Sequence, residues 1–91
     1  MIRILIIEDE IKAAKELKKL IEEQRSDMEV VGITGSVKKS IEWLSENEMP
    51  DLIFSDIQLA DGLSFEIYKQ VNVTAPIVFC TAFDEYAIQA F

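Results

Sequence analysis

Ninety-one residues make room for one small domain, and 49% hydrophobic with 29% charged residues describe an ordinary globular chain, not a disordered or collagen-like one. Seventeen acidic against nine basic side chains leave a net charge of −8, which argues against direct binding of nucleic acid through its phosphates. The longest apolar runs fall far short of the ~18 residues of a membrane span, and an acidic triplet, Glu8-Asp9-Glu10, stands where a signal peptide would still be apolar, so the expected location is the cytoplasm.

Residues 3–7 are apolar on both faces and rich in β-branched side chains, the composition of a central strand in a parallel sheet. The acids at 8–10 end that run. Over residues 11–24, Ile11, Ala14, Leu17, Leu20 and Ile21 recur at the spacing of one helical face. Lys12, Lys15, Lys18 and Lys19 fill the rest of this helix and read as a solvated face paired with Glu16, Glu22 and Glu23; a docking face for an acidic partner is the alternative.

A second strand is expected over 29–34, and Gly35-Ser36 supplies a turn and an N-cap for a helix over 37–46 with Val37, Ile41 and Leu44 facing inward. Residues 47–50 break that helix, and a third strand over 52–55 runs straight into Asp56. Asp61-Gly62 signals a turn, a helix over about 64–71 carries Phe65 and Tyr68, Pro76 introduces a fourth strand over 77–80 ending at Thr81, and 85–91 reads as the start of a fourth helix. No repeat, low-complexity tract or linker divides the chain, so 1–91 is read as one domain. Strand and helix alternating in this way predict an α/β fold, a parallel sheet covered by helices on both faces.

Three of these strands end in oxygen-bearing side chains: Glu8 and Asp9, then Asp56, then Thr81. In an open parallel sheet the carboxyl ends of the strands share one edge, and ligands bind in the crevice outside it. If the carboxylates converge, each like-charged pair at ~5 Å costs on the order of 3 kcal/mol at an effective dielectric near 20, so the cluster should hold a proton or a cation. A chain with one cysteine and no histidine lacks zinc's usual ligands, whereas oxygen donors select a hard ion such as Mg²⁺. An Asp beside Mg²⁺ can also attack a phosphoryl group. Taken singly, an acid after a strand is more often a turn residue or helix cap than a ligand. Glu8, Asp9 and Glu10 can simply favour the positive end of the first helix, and Thr81 reads better as an ordinary β-branched strand residue.

In this order and spacing, the opening Ile-Leu-Ile-Ile-Glu-Asp-Glu, the run from Pro50 to Leu59 around Asp56, the Asp61-Gly62 turn and the segment from Pro76 to Ala82 resemble the receiver domains of bacterial two-component response regulators. The tail from Thr81 to Phe91 resembles the branch whose full-length members carry a LytTR-type DNA-binding effector domain. The resemblance implies a flavodoxin-like, CheY-like doubly wound parallel sheet of order 2-1-3-4-5, with Asp56 as phosphoacceptor. It implies Asp9 as direct Mg²⁺ ligand, Glu8 acting through water, and the Gln58 main-chain carbonyl completing the set with Asp56. Thr81 would bond the phosphoryl group beside the Ala82 amide, and the donor would be a phosphohistidine on a sensor histidine kinase. Phosphorylation would then switch the effector, making the chain a signalling switch that promotes its own phosphotransfer and not an enzyme in the usual sense.

Two departures accompany the resemblance. Ala60 stands where many receivers have Pro, and the sequence stops at Phe91, short of the fifth strand and helix and of the Lys that receivers carry there. Lys69 lies in the third helix and does not replace that Lys. An exposed edge on the fourth strand would invite self-association or a domain swap. A phosphate-independent interaction or dimerisation module of the same fold is the alternative function. A Mg²⁺-dependent phosphohydrolase ranks last, because Asp9-Glu10-Ile11 lacks the second Asp two positions after the nucleophile that such chemistry uses.

Overall fold

The computed structural model describes residues 1–80. In chain order the elements are β1 (Ile2–Ile7), α1 (Ile11–Gln24), β2 (Met28–Thr34), α2 (Val37–Glu46), β3 (Leu52–Asp56), β4 (Gln58–Leu59), β5 (Gly62–Leu63), α3 (Phe65–Gln70) and β6 (Ile77–Cys80). Thr81, Ala82 and the helix expected over 85–91 lie outside the described residues. So does whatever follows β6, and with it the expectation of an open sheet edge.

β1 is the axis of the fold. Its Ile4, Leu5, Ile6 and Ile7 are all fully removed from solvent, which requires a partner strand on each side and a helical layer on each face. β2 and β3 pair with it in parallel, and β6 pairs in parallel with β3, giving the order β2-β1-β3-β6. The first four strands of the implied 2-1-3-4-5 order are therefore present. Alternate β1 side chains divide between two cores. Leu5 and Ile7 pack with Val37 and Leu44 of α2, Ile53, Leu59 and Ile67 of α3, while Ile4 and Ile6 pack with Ala14 and Ile21 of α1.

The α1 face departs from expectation. Ala14 and Ile21 are buried and Leu17 is half-buried, but Ile11 is 69% and Leu20 56% exposed. At 100° per residue Leu20 sits a quarter-turn and more from Ile21, outside the stripe that the sheet covers, and Ile11 opens the helix at its outer margin. The four lysines of α1 are exposed as expected, yet the described residues show no ion pair between them and Glu16, Glu22 or Glu23. Glu22 instead accepts a hydrogen bond from Val30 N–H at 3.2 Å. Exposed pairs gain too little to fix two long side chains.

α2 begins as predicted: Ser36 is extended and its hydroxyl accepts Lys39 N–H at 3.0 Å. Trp43 of this helix is half-buried over Gly32 of β2, where a Cβ would stand 2.6 Å from the indole Nε1. β4 and β5 form a small antiparallel hairpin that the periodicity did not reveal, with Gln58 opposite Leu63 and Leu59 opposite Gly62. Gly62 has φ +142°, a conformation closed to side-chain-bearing residues. α3 packs against β6 through edge-to-face contacts of Phe65 and Tyr68 with Phe79, at ring separations of 5.3 and 6.2 Å.

Candidate functional site

Because β1 and β3 run parallel and in register, with Ile7 opposite Ser55, their carboxyl ends lie side by side. Glu8 and Asp9 follow the first, and Asp56 ends the second. One carboxylate oxygen from each of the three lies within 4.8 Å of the other two. Sequence spacing permitted this convergence, and the pairing of β1 with β3 produces it.

The local backbone fixes each acid. Glu8 N–H donates to Thr34 C=O at 2.9 Å, which anchors the turn after β1 to the end of β2. A Glu8 carboxylate oxygen accepts Glu10 N–H at 3.0 Å, and Asp56 Oδ1 accepts Ile57 N–H at 2.8 Å. Ser55, fully buried beneath Asp56, donates its hydroxyl to the Asp56 carbonyl at 3.0 Å. Glu8 and Asp56 remain partly open to solvent and Asp9 is exposed, so the cluster is reachable from outside.

Burial pushes the Glu8 carboxyl up from 4.5 to about 7, and the charge of Asp56 and carboxyl contacts with Asp56 and Asp9 add to this, against the Glu10 N–H that stabilises the anion. Near neutrality a proton on Glu8 is therefore one way to relieve the repulsion of the cluster. Three convergent carboxylates suit a hard divalent cation, and their repulsion is the force that such an ion relieves.

Gln58 stands two positions beyond Asp56, exposed on β4. Thr81 and Ala82 lie outside the described residues. Lys69 is on α3, where its ammonium pairs with Glu66 at 3.2 Å on the surface, so it takes no part in the cluster. One residue was read only as a turn former and does more. Asp61, at the tip of the β4–β5 hairpin, accepts Val37 N–H at 2.7 Å and Lys38 N–H at 3.1 Å from the first turn of α2. An acid beside glycine gave no hint of a partner 24 positions away.

Residues 4–91 match the response regulator receiver domain. The chain is 42% identical over 94 residues to the sensory transduction protein LytT of Bacillus anthracis, covering 100% of this chain and 37% of that protein. It is 40% identical over 93 residues to the transcriptional regulatory protein BtsR of Escherichia coli K12, covering 100% of this chain and 38% of that one. Among solved structures it resembles the response regulatory domain of protein mrkE from Klebsiella pneumoniae, with a TM-score of 0.73 and 36% identity over 99% of this chain and 75% of that one. The chain thus spans well under half the length of LytT or BtsR.

Proposed function

Since the chain belongs to the response regulator receiver domain family, a signalling switch of two-component systems, we propose that Asp56 is its phosphoacceptor and that Glu8, Asp9 and Asp56 hold Mg²⁺ beside it. The observation that carries this reading is the meeting of three carboxylates at the carboxyl ends of two adjacent parallel strands. By the resemblance, Asp9 would be the direct ligand, Glu8 would act through water, and the Gln58 main-chain carbonyl would complete the protein's share. Held there, the ion would supply positive charge to offset both the carboxylate cluster and the charge developing on the transferred phosphoryl group.

In this reading an Asp56 carboxylate oxygen attacks the phosphorus of a phosphohistidine on a sensor histidine kinase. The new O–P bond forms as the P–N bond breaks, and the electron pair returns to the imidazole, which takes up a proton. The product is an acyl phosphate on Asp56. Ile57 N–H, already on Asp56 Oδ1, orients the carboxylate for attack. Thr81 and the Ala82 amide are assigned to the phosphoryl oxygens, and the chain itself promotes the transfer. Residues 1–91 act as one receiver unit in the cytoplasm. By likeness to the transcriptional regulatory protein BtsR the output is transcriptional, and the resemblance of the tail assigns it to a DNA-binding effector domain of LytTR type. Phosphorylation biases the domain between two packings, and the effector reads the bias.

Borohydride reduction after incubation with a phosphorylated kinase domain and Mg²⁺ tests the assignment. The treatment converts an acyl phosphate to the alcohol, so peptide sequencing should find a homoserine side chain at position 56 and nowhere else. Homoserine found at position 9 or 51 instead would refute it.

A further inference from the structure

We infer that Asp61 is a positioning residue for the cation site, clamping the β4–β5 hairpin that carries Gln58 onto the amino end of α2. The inference rests on the cation site proposed above and names what holds its loop in place.

Asp61 spends both carboxylate oxygens on α2, one on Val37 N–H at 2.7 Å and the other on Lys38 N–H at 3.1 Å. First-turn amides of a helix have no partner within it, and their partial positive charge favours the ionised carboxylate. These two hydrogen bonds accordingly hold the Asp61 carboxyl below the usual carboxylate range. The helix has its own local cap in Ser36, whose hydroxyl takes Lys39 N–H. What the Asp61 contact adds is therefore a fixed distance between the hairpin tip and α2, and a Cβ placed on the neighbouring Gly62 would already stand 4.0 Å from Val37 Cγ2.

The clamp closes a loop of contacts around the acidic cluster. On one side, Ile57 N–H bonds Asp56 Oδ1 and Ser64 N–H bonds Ile57 C=O at 2.8 Å, which shuts the base of the hairpin on Asp56. On the other, the Ser40 hydroxyl donates to Ser36 C=O at 2.7 Å and lies 2.7 Å from Thr34 Oγ1, while Thr34 C=O takes Glu8 N–H. Beyond the β1–β3 pairing, which joins the two halves at the base of the cluster, Asp61 ties the tip of the Asp56 hairpin to the α2 end of the Glu8 side. A small hard cation tolerates little displacement of its ligands, and groups that orient a ligand typically matter about 10- to 100-fold in metal affinity. Release of the hairpin tip leaves Leu59 and the Ser64 amide to hold Gln58, and the effect belongs at the lower end of that range.

Calorimetric titration of the full chain with Mg²⁺ alone tests this, with hydrogen exchange of the Val37 and Lys38 amides as a second readout. Asp61→Ala should weaken Mg²⁺ binding about tenfold and speed exchange at both amides. Asp61→Asn, which keeps one acceptor and a capping residue in place, should fall between it and the unaltered chain and guards against simple misfolding. Ser36→Ala is the control, since it loosens the same helix end without touching the hairpin, and it should leave Mg²⁺ affinity unchanged. Unaltered affinity in Asp61→Ala, or an equal loss in Ser36→Ala, would overturn the clamp. An unaltered chain that binds no Mg²⁺ would overturn the cation site itself, and the clamp with it.

Discussion

At the scale of single residues, the acidic site sets carboxylate repulsion against the proton or cation that would relieve it. Glu8 ionises less readily in the folded chain than in the unfolded one, near 7 against 4.5, chiefly because the fold partly buries it. A raised carboxyl pKa means that stability from this group is complete below about pH 4.5 and drains away as pH rises through 7. Without divalent cations, Glu8→Gln should therefore flatten that decline and stabilise the chain near pH 8 by about 1–2 kcal/mol. That is less than the full conversion of the shift, since Glu8 stays partly solvated. Urea unfolding on either side of neutrality measures it, and a Glu8→Gln chain that is less stable near pH 8 would speak against the account. Asp61 has the opposite sign. Its contribution holds above the ordinary carboxylate range and is lost as pH falls through its lowered pKa.

At the scale of elements, what could be read in advance was what depends on local apolar pattern. β1, α1, α2, β3 and β6 stand within a residue of their expected bounds, because runs such as that over 3–7 and the 3.6-residue stripes state their own burial. The β4–β5 hairpin was not legible: its strands are two residues each, and tertiary contacts such as the packing of Leu59 into the α2–α3 core and the Asp61 contact with α2 hold them. The outward positions of Ile11 and Leu20 likewise depend on where the sheet stops covering α1, which no helical pattern contains. At the site, Glu8, Asp9 and Asp56 were recoverable as acids ending strands, whereas Asp61 was not, because its partners come from a distant element. The hairpin also makes a testable demand on Gly62. With φ at +142°, Gly62→Ala should cost about 1–3 kcal/mol in a denaturant melt, and an unchanged midpoint would mean that the hairpin does not hold its bend.

At the scale of the molecule, a chain of 91 residues rests on two thin cores that share β1 and its neighbours. Ile53 of β3 is fully buried in the core that also holds α2 and α3. Ile53→Ala should cost about 2–5 kcal/mol, a large part of the ~5–15 kcal/mol that holds a domain together, and circular dichroism during thermal unfolding would register it as a sharply lower midpoint. If the proposed site holds Mg²⁺, the ion should raise the midpoint of the unaltered chain, since the cluster is assembled only in the folded state. The central claim is that the meeting of Glu8, Asp9 and Asp56 makes Asp56 a phosphoacceptor. Intact mass after incubation with a small-molecule phosphodonor, with and without Mg²⁺, tests it most directly. The chain should gain one phosphoryl group, only with Mg²⁺ present, and Asp56→Asn should abolish the gain. A folded chain that gains none, or an Asp56→Asn chain that gains as much as the unaltered one, would contradict it.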